Sequence, residues 1–296
     1  MKGYFCYPLC CILAFLFLAP GLGGCSKADE EIIELKVLRQ NVVFRSQADI
    51  NSFMAGHKDA KRIAIDGNLT IGMPLSGGES SDITSLQPLS KLKEVRRNLL
   101  LTMNGQLLSL QGLENLDRVK GSLRIEQNGL QQGLQLKALT RVDSLIIRQN
   151  PALTALAELG QLSRINTLLI AGNAQLENLQ GLGGIDSLVH LSLLQNTRLQ
   201  DLSGLIKLQH ISGLLSISQN QALESLSGLG LLQQIGAFSI TANPLLTDLC
   251  ALTPAVADLL LRHPDASQAE LDSLMHLQAN GVDPYRWDQL LADCQE

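Results

Sequence analysis

Residues 215–240 read LSISQNQALESLSGLGLLQQIGAFSI, and this stretch decides the fold. Leu215 and Ile217 are two residues apart, a spacing that places both side chains on one side of a short β-strand. After Asn220 an aliphatic residue stands at every third position, at Leu223, Leu226, Leu229, Leu232 and Ile235. Because a period of three fits neither an α-helix nor a strand, it predicts a return path of extended pieces and 3₁₀-like turns with one side facing inward.

The same frame recurs around a column of asparagines spaced 22 to 24 residues apart: Asn104, Asn128, Asn150, Asn173, Asn196, Asn220 and Asn243. Apolar residues stand five and three positions before each of them: Leu99 and Leu101, Leu123 and Ile125, Leu145 and Ile147, Leu168 and Ile170, Leu191 and Leu193, Leu215 and Ile217, Phe238 and Ile240. So close a period is typical of a solenoid, in which each coil buries its apolar side against the next. We predict a repeat solenoid with a parallel β-sheet on one face and mostly non-helical returns.

The asparagine column has two interpretations. An asparagine side chain offers two donors and one acceptor, so stacked copies can form a ladder inside the coils. The alternative is that the asparagines contact a ligand. Because a ligand site rarely needs the same residue in every coil, seven regular copies favour the structural role.

The repeat N-x-x-L-x-x-L-x-G-L-x-x-L-x-x-I-x-x-L-x-I resembles the leucine-rich repeats of receptor L domains, especially those of bacterial surface lipoproteins. The family's glycine-leucine step is matched at Gly112-Leu113, Gly181-Leu182, Gly204-Leu205 and Gly228-Leu229, and residues 67–71 (GNLTI) resemble its opening strand. The resemblance covers about residues 41–254 and implies a right-handed solenoid, but a fold of this kind does not identify a function. Two units depart from the pattern, one at Leu130, Leu134, Leu136 and Leu139, the other at Glu158 in place of glycine. We expect a local change in coil shape at both.

The N-terminal residues predict export and lipid attachment. A start at Lys2 and an apolar run over 9–19 are typical of a signal peptide, and Leu22-Gly23-Gly24-Cys25 resembles a bacterial lipobox. This resemblance implies a signal peptide over 1–24 and a palmitate-bearing Cys25 that anchors the protein to the outer membrane. Residues 25–40 are then a tether, whose acidic run resembles that of lipoproteins exposed on the cell surface. The alternative is an ordinary secretory signal with a chance cysteine.

After lipidation of Cys25, only Cys250 and Cys294 remain in the mature chain. Since an exported protein meets an oxidising compartment, we expect a disulfide between them. A metal pair or two reactive thiols are the less favoured alternatives, because no histidine or further cysteine stands at ligand spacing.

The solenoid, predicted over residues 63–254, needs caps at both ends. Over 41–62 we expect an N-terminal cap with a strand at 42–44 and a helix that Ser46 and Asp49 open with a capping box. Over 255–296 we expect a C-terminal cap of helices at 255–262, 266–279 and 284–292. An insertion at 73–81, rich in Gly, Ser and Pro, is either a solvated loop or a loop beside a binding face.

The chain shows no pattern typical of an enzyme, a metal site or a cofactor site. Its histidines are scattered, at His57, His190, His210, His263 and His276. A formal net charge of -5 and a pI near 5.6 give no electrostatic reason to expect nucleic acid as a partner. We therefore predict a non-catalytic protein without metal or cofactor.

The outward residues of the predicted strands provide the candidate ligand contacts: Leu100, Arg124, Ile146, Arg148, Leu169 and Leu194. Apolar residues flanked by charge on a sheet are typical of a protein contact site, although single exposed aliphatics need no partner. A further column, Gln127, Gln149, Gln195 and Gln219, either forms a ladder or faces carbohydrate. The leading prediction is a surface lipoprotein that binds a protein or glycan ligand on the sheet face. The alternative is a structural or self-associating component of the cell envelope.

Overall fold

In the computed structural model of the protein, the described residues are 34–278, 280, 281, 287, 290 and 294, except 132, 157 and 160. They lie in one compact unit, 33–296. The strands are β1 (Leu35–Leu38), β2 (Val42–Phe44), β3 (Arg62–Ile65), β4 (Leu69–Gly72), β5 (Leu92–Val95), β6 (Leu99–Thr102), β7 (Arg118–Glu126), β8 (Arg141–Arg148), β9 (Thr167–Ala171), β10 (Ser187–Leu188), β11 (His190–Leu194), β12 (His210–Ser218), β13 (Gln234–Thr241) and β14 (Met275–Gln278). The helices are α1 (Gln47–Ala55), α2 (Thr253–Arg262) and α3 (Gln268–Leu274).

The described strands form a parallel sheet in which each coil pairs with the next. Leu215 pairs with Phe238 and Ile217 with Ile240, so equivalent inward residues are stacked. The returns contain short 3₁₀ helices, at Gln87–Lys91, Ser203–Leu205, Ser227–Leu229 and Cys250–Leu252. The predicted solenoid, with a parallel sheet and mostly non-helical returns, is confirmed.

Most coils contribute two strand segments rather than the one that was predicted. The first arm of the sheet consists of β1, β3, β5, β10 and the opening residues of β7, β8, β12 and β13; the second arm consists of β2, β4, β6, β9, β11, β14 and the closing residues of β7, β8, β12 and β13. In β7 the two arms are continuous, and a register shift lies between Val119 and Ser122. Ile235, which was predicted in a return, pairs with Ile211 in the first arm. That assignment was wrong because a strand position next to a bulge loses the two-residue alternation that identifies strands.

The core is a continuous column of aliphatic side chains, most of them fully buried. The glycine-leucine step follows from how closely the coils approach. A Cβ atom at Gly228 would overlap the carbonyl oxygen of Leu202, and one at Gly204 would overlap that of Leu179. Glycine is therefore required at this step by the backbone of the preceding coil.

Both departures from the repeat coincide with unusual backbone. Glu158, which replaces glycine, has a positive φ of 75°, a conformation that favours glycine. Gln135 also has a positive φ, of 53°, and it stands between Leu134 and Leu136. Both leucines are buried although they are two residues apart, so this coil has a local shape of its own.

The sheet begins earlier than was predicted. β1 pairs with β3, so Leu35–Leu38 extends the sheet into the segment assigned to the tether. That segment is polar overall, and its partner strand supplies hydrogen bonds that the local pattern does not reveal. Residues 1–33, which include the predicted signal peptide and Cys25, lie outside the described residues.

The predicted N-terminal helix is present as α1, with its capping box. Asp49 Oδ2 accepts hydrogen bonds from the backbone N–H groups of Arg45, at 2.7 Å, and Ser46, at 3.0 Å. These bonds, with that of Arg45 the strongest contribution, lower the pKa of Asp49 from its ordinary value of 3.8.

The C-terminal cap differs from the prediction in one element. Helix α3 ends at Leu274, and Met275–Gln278 forms strand β14, which pairs with β13. The predicted helix over 266–279 is thus wrong in its second half, because pairing with the last coil outweighs the local preference. The predicted helix at 284–292 lies almost entirely outside the described residues. Cys250 and Cys294 are joined by a disulfide.

Candidate ligand-binding face

The asparagine column forms a hydrogen-bonded ladder in the core. Asn150 shows the repeating unit: its backbone N–H donates to Asn173 Oδ1 at 3.1 Å, and its Nδ2 donates to the carbonyl of Ile125 at 2.9 Å. Two members of the ladder were missed by sequence reasoning. Ser81 Oγ donates to Asn104 Oδ1 at one end, and Asn280 Oδ1 accepts from Asn243 at the other. All these side chains are buried, so the column is structural and does not contribute to a ligand site.

The glutamine column occupies left-handed backbone just before the asparagines. Gln127, Gln149, Gln195 and Gln219 all have φ between 55° and 58°. Gln127 Nε2 donates to Gln149 Oε1 at 2.8 Å, and Gln195 Nε2 donates to Gln219 Oε1 at 2.6 Å. The side-chain amides therefore bond in two separate pairs, each between adjacent coils, which is a partial form of the predicted ladder.

The second arm brings the six candidate contact residues together in two neighbouring rows. In one row Leu100 pairs with Arg124, Arg124 with Ile146, and Ile146 with Leu169. In the next row Arg148 and Leu194 flank Ala171. The apolar members are half-buried rather than fully exposed.

A buried carboxylate joins the two arginines of these rows. The Glu126 side chain is fully buried, and its Oε1 accepts from Arg124 Nη2 at 2.8 Å and Nε at 2.9 Å. Arg148 Nε lies 3.2 Å from the same oxygen, an ion-pair distance without hydrogen-bond geometry. Glu126 Oε2 has no hydrogen-bond partner among the described residues. An unpartnered carboxylate oxygen costs free energy when it is buried.

Beside this cluster lies a cleft of about 560 Å³, which we call the loop cleft. It is lined by Val43, Arg45, Thr70, Gly72, Pro74, Leu75, Ser76, Leu100, Thr102, Arg124 and Glu126. Of the six predicted contact residues, only Leu100 and Arg124 line it. The others continue the sheet face away from it.

The insertion at 73–81 supplies one wall of the loop cleft. Thr102 Oγ1 donates to the carbonyl of Met73 at 2.8 Å, and the N–H of Ser81 donates to the carbonyl of Met103 at 2.8 Å. Both ends of the insertion are therefore fixed to the second arm, and Leu75, 38% exposed, faces the cleft between them. Of the two predicted roles of the insertion, this position favours the loop beside a binding face. Val43, Arg45 and Thr70 were missed because they come from earlier coils.

The described residues contain no group of three or more His, Cys, Asp or Glu side chains arranged to hold a metal ion. His190 Nδ1 accepts from the backbone N–H of Leu214 at 3.1 Å, a contact within the sheet. No described helix has both the length and the apolar character needed to span a membrane.

Comparisons of the chain with models of known families, with curated proteins and with solved structures find no match. The geometry of the second arm and the sequence motifs are therefore the basis for a functional proposal.

Proposed function

We propose that this protein is a non-catalytic lipoprotein of the outer membrane, anchored through Cys25, that binds a protein or glycan ligand on the second arm of its solenoid. The observation that carries the proposal is the loop cleft, where an inserted loop fixed at both ends covers part of an otherwise regular sheet. Insertions into repeats form loops on one face of a solenoid, and this is often the binding face. The resemblance of residues 22–25 to a lipobox supports the anchor, and the acidic run that follows supports the surface location; both lie outside the described residues.

The lining of the cleft favours a protein ligand over a neutral glycan. Val43 is 50% exposed and Leu75 is 38% exposed, and both line the same cleft as the half-buried Leu100. An apolar side chain of a partner would bury this surface, a contribution of about 25 cal/mol for each Å² removed from water. Arg45 and Arg124 at the edges would orient polar groups around that contact.

The test is capture of partners from envelope and host material by purified protein and by surface variants. Leu75→Ser and Leu100→Ser each remove apolar surface from the cleft, and capture should fall at least tenfold in the double variant. Leu231→Ser is the matched control, since Leu231 is 53% exposed and does not line the cleft. Undiminished capture by the double variant would exclude the cleft as the binding site. Separate variants of Ile146 and Leu169 then test the rest of the face.

One observation favours the alternative of self-association. Leu261 on α2 is 81% exposed, on the helix that covers the last coil. A second copy could bury this side chain at the end of the solenoid. Light scattering of the purified protein tests this alternative: a monomer at all concentrations excludes it, and a dimer lost in Leu261→Ser supports it.

A further inference from the structure

The first arm of the sheet carries a feature that the proposed function does not use. Arg118, Arg141 and Arg164 occupy equivalent positions in three successive coils, where Arg118 pairs with Arg141 and Arg141 with Arg164. We call these residues the arginine row. The residues that follow Arg118 and Arg141 in the strands, Val119 and Val142, are buried. Because successive side chains of a strand point to opposite faces, the arginines project from the outer side of the sheet.

The charges of the arginine row are almost unneutralised by the protein. Arg118 Nη1 lies 3.9 Å from Glu94 Oε1, while no ion pair joins Arg141 or Arg164 to any described carboxylate. Neighbouring parallel strands are about 4.8 Å apart, and like charges directly opposite each other on a sheet are destabilising. Several other cations in the described part of the chain do have close partners, such as Lys93, whose Nζ lies 3.0 Å from Asp117 Oδ2. The row is thus a site where a bound anion would relieve repulsion.

The row lies in a continuous groove. Two adjoining cavities, of about 480 and 460 Å³, share Arg141, Ser163 and Arg164. The smaller is lined by the three arginines with the hydroxyl residues Thr140 and Ser163. The larger adds acceptors along its length: Asp143, Asn166, Asp186 and Ser187, together with Lys120.

We propose that this groove binds an acidic glycan, a chain of sugars that carry carboxylate or sulfate groups. Guanidinium groups bind carboxylate and sulfate oxygens with paired hydrogen bonds, and the row extends over about 10 Å, twice the spacing of parallel strands. A ligand that contacts all three arginines therefore carries at least two anionic groups along an extended chain.

The acceptors in the groove identify the rest of the ligand. Asp143 Oδ1 accepts from Asn166 Nδ2 at 2.7 Å, and Asp186 Oδ1 accepts from Ser187 Oγ at 2.8 Å. Each carboxylate keeps further acceptor sites for sugar hydroxyls. None of the described residues that line the groove is aromatic, so single-stranded nucleic acid would find no surface there on which its bases could stack.

The groove is independent of the loop cleft, since no residue lines both. A negative result in the test of one site therefore leaves the proposal for the other site unaffected. The Leu75→Ser, Leu100→Ser protein should bind acidic glycan as the unaltered protein does.

The test measures binding of purified protein to defined probes by isothermal titration calorimetry. The acidic probes are a heparin tetrasaccharide and a tetramer of galacturonic acid, and the neutral control is maltotetraose. At least one acidic probe should bind, with affinity that falls as salt rises. The double variant Arg141→Gln, Arg164→Gln should weaken binding of this probe at least tenfold. The matched control is Arg198→Gln, because the Arg198 side chain is 58% exposed and does not line the groove. Its affinity for the acidic probe should stay within twofold of that of the unaltered protein.

Three results would overturn the proposal. They are no binding of either acidic probe, undiminished binding by the Arg141, Arg164 variant, or binding of single-stranded DNA more tightly than both glycans. Circular dichroism of each variant must match that of the unaltered protein. If the double variant fails to fold, Arg141→Lys serves in its place, because it keeps the charge but loses the paired hydrogen bonds and should weaken binding by a smaller factor.

Discussion

Replacing one asparagine in the middle of the ladder should destabilise the whole solenoid. Asn173→Ala removes Oδ1, the acceptor for the backbone N–H of Asn150 at 3.1 Å. It also removes Nδ2, which donates to the carbonyl of Ile147 at 2.9 Å. Asn173 is fully buried, so water cannot replace either bond without opening the coil.

The magnitude follows from the groups left without partners. Asn150 Nδ2 still donates to the carbonyls of Ile125 and Arg148, so the main loss is the partner of its backbone N–H. A buried donor without a partner costs about 1 to 3 kcal/mol, and the weakened carbonyl of Ile147 adds a further cost of similar or smaller size. We expect the free energy of unfolding to fall by about 2 to 5 kcal/mol.

Urea unfolding followed by circular dichroism measures this loss, and hydrogen exchange at the amide of Asn150 measures it locally. The matched control is Asn166→Ala, because Asn166 is exposed and its side chain donates one hydrogen bond, to Asp143 Oδ1. The Asn166→Ala control should lower the free energy of unfolding by less than about 1 kcal/mol. A loss for Asn173→Ala no larger than that of the control, with Asn150 still protected from exchange, would refute the structural role of the ladder.

Three further predictions concern the coil contacts and the caps. Gly228→Ala should destabilise the protein by at least about 2 kcal/mol in urea unfolding, because its Cβ would overlap the backbone of the preceding coil, whereas Gly77→Ala on the insertion should be nearly neutral. Replacing both Cys250 and Cys294 by serine removes a link between residues 44 apart and should cost about 4 kcal/mol in the chain-entropy model; an unchanged thermal midpoint would contradict this. Asp49 has a lowered pKa in the folded state, so its stabilising effect is present above pH 3.8 and is lost as pH falls through the folded pKa. Asp49→Asn should therefore flatten the loss of stability between pH 5 and pH 2, and an identical pH profile would count against the capping role.

The local pattern of the chain was sufficient for the repeat and its core. The pattern of Leu215, Ile217 and Asn220 recurs in the coils marked by the asparagines from Asn104 to Asn243, and that spacing alone sets which side of the chain must leave water. The same holds for α1, whose capping box is a contact between residues three apart. These features were predictable because each depends on near neighbours in the sequence.

The arginine row had a visible signal that was missed. Arg118, Arg141 and Arg164 stand 23 residues apart, the period of the repeat itself. Because this segment was predicted to be a return path, the interval did not indicate neighbouring side chains on a sheet. The parallel pairing of Arg118 with Arg141 and of Arg141 with Arg164 shows that it does.

The sequence by itself determined that similar coils stack and which side chains enter the core. Only the tertiary structure decided the burial of Glu126 between Arg124 and Arg148, the cleft beneath Leu75, and the pairing of Met275–Gln278 with the last coil. The physical reason is the range of the contacts. Inward and outward positions follow from a period of a few residues, whereas the neighbours of an outward side chain come from other coils, through register shifts and an inserted loop that no local spacing encodes.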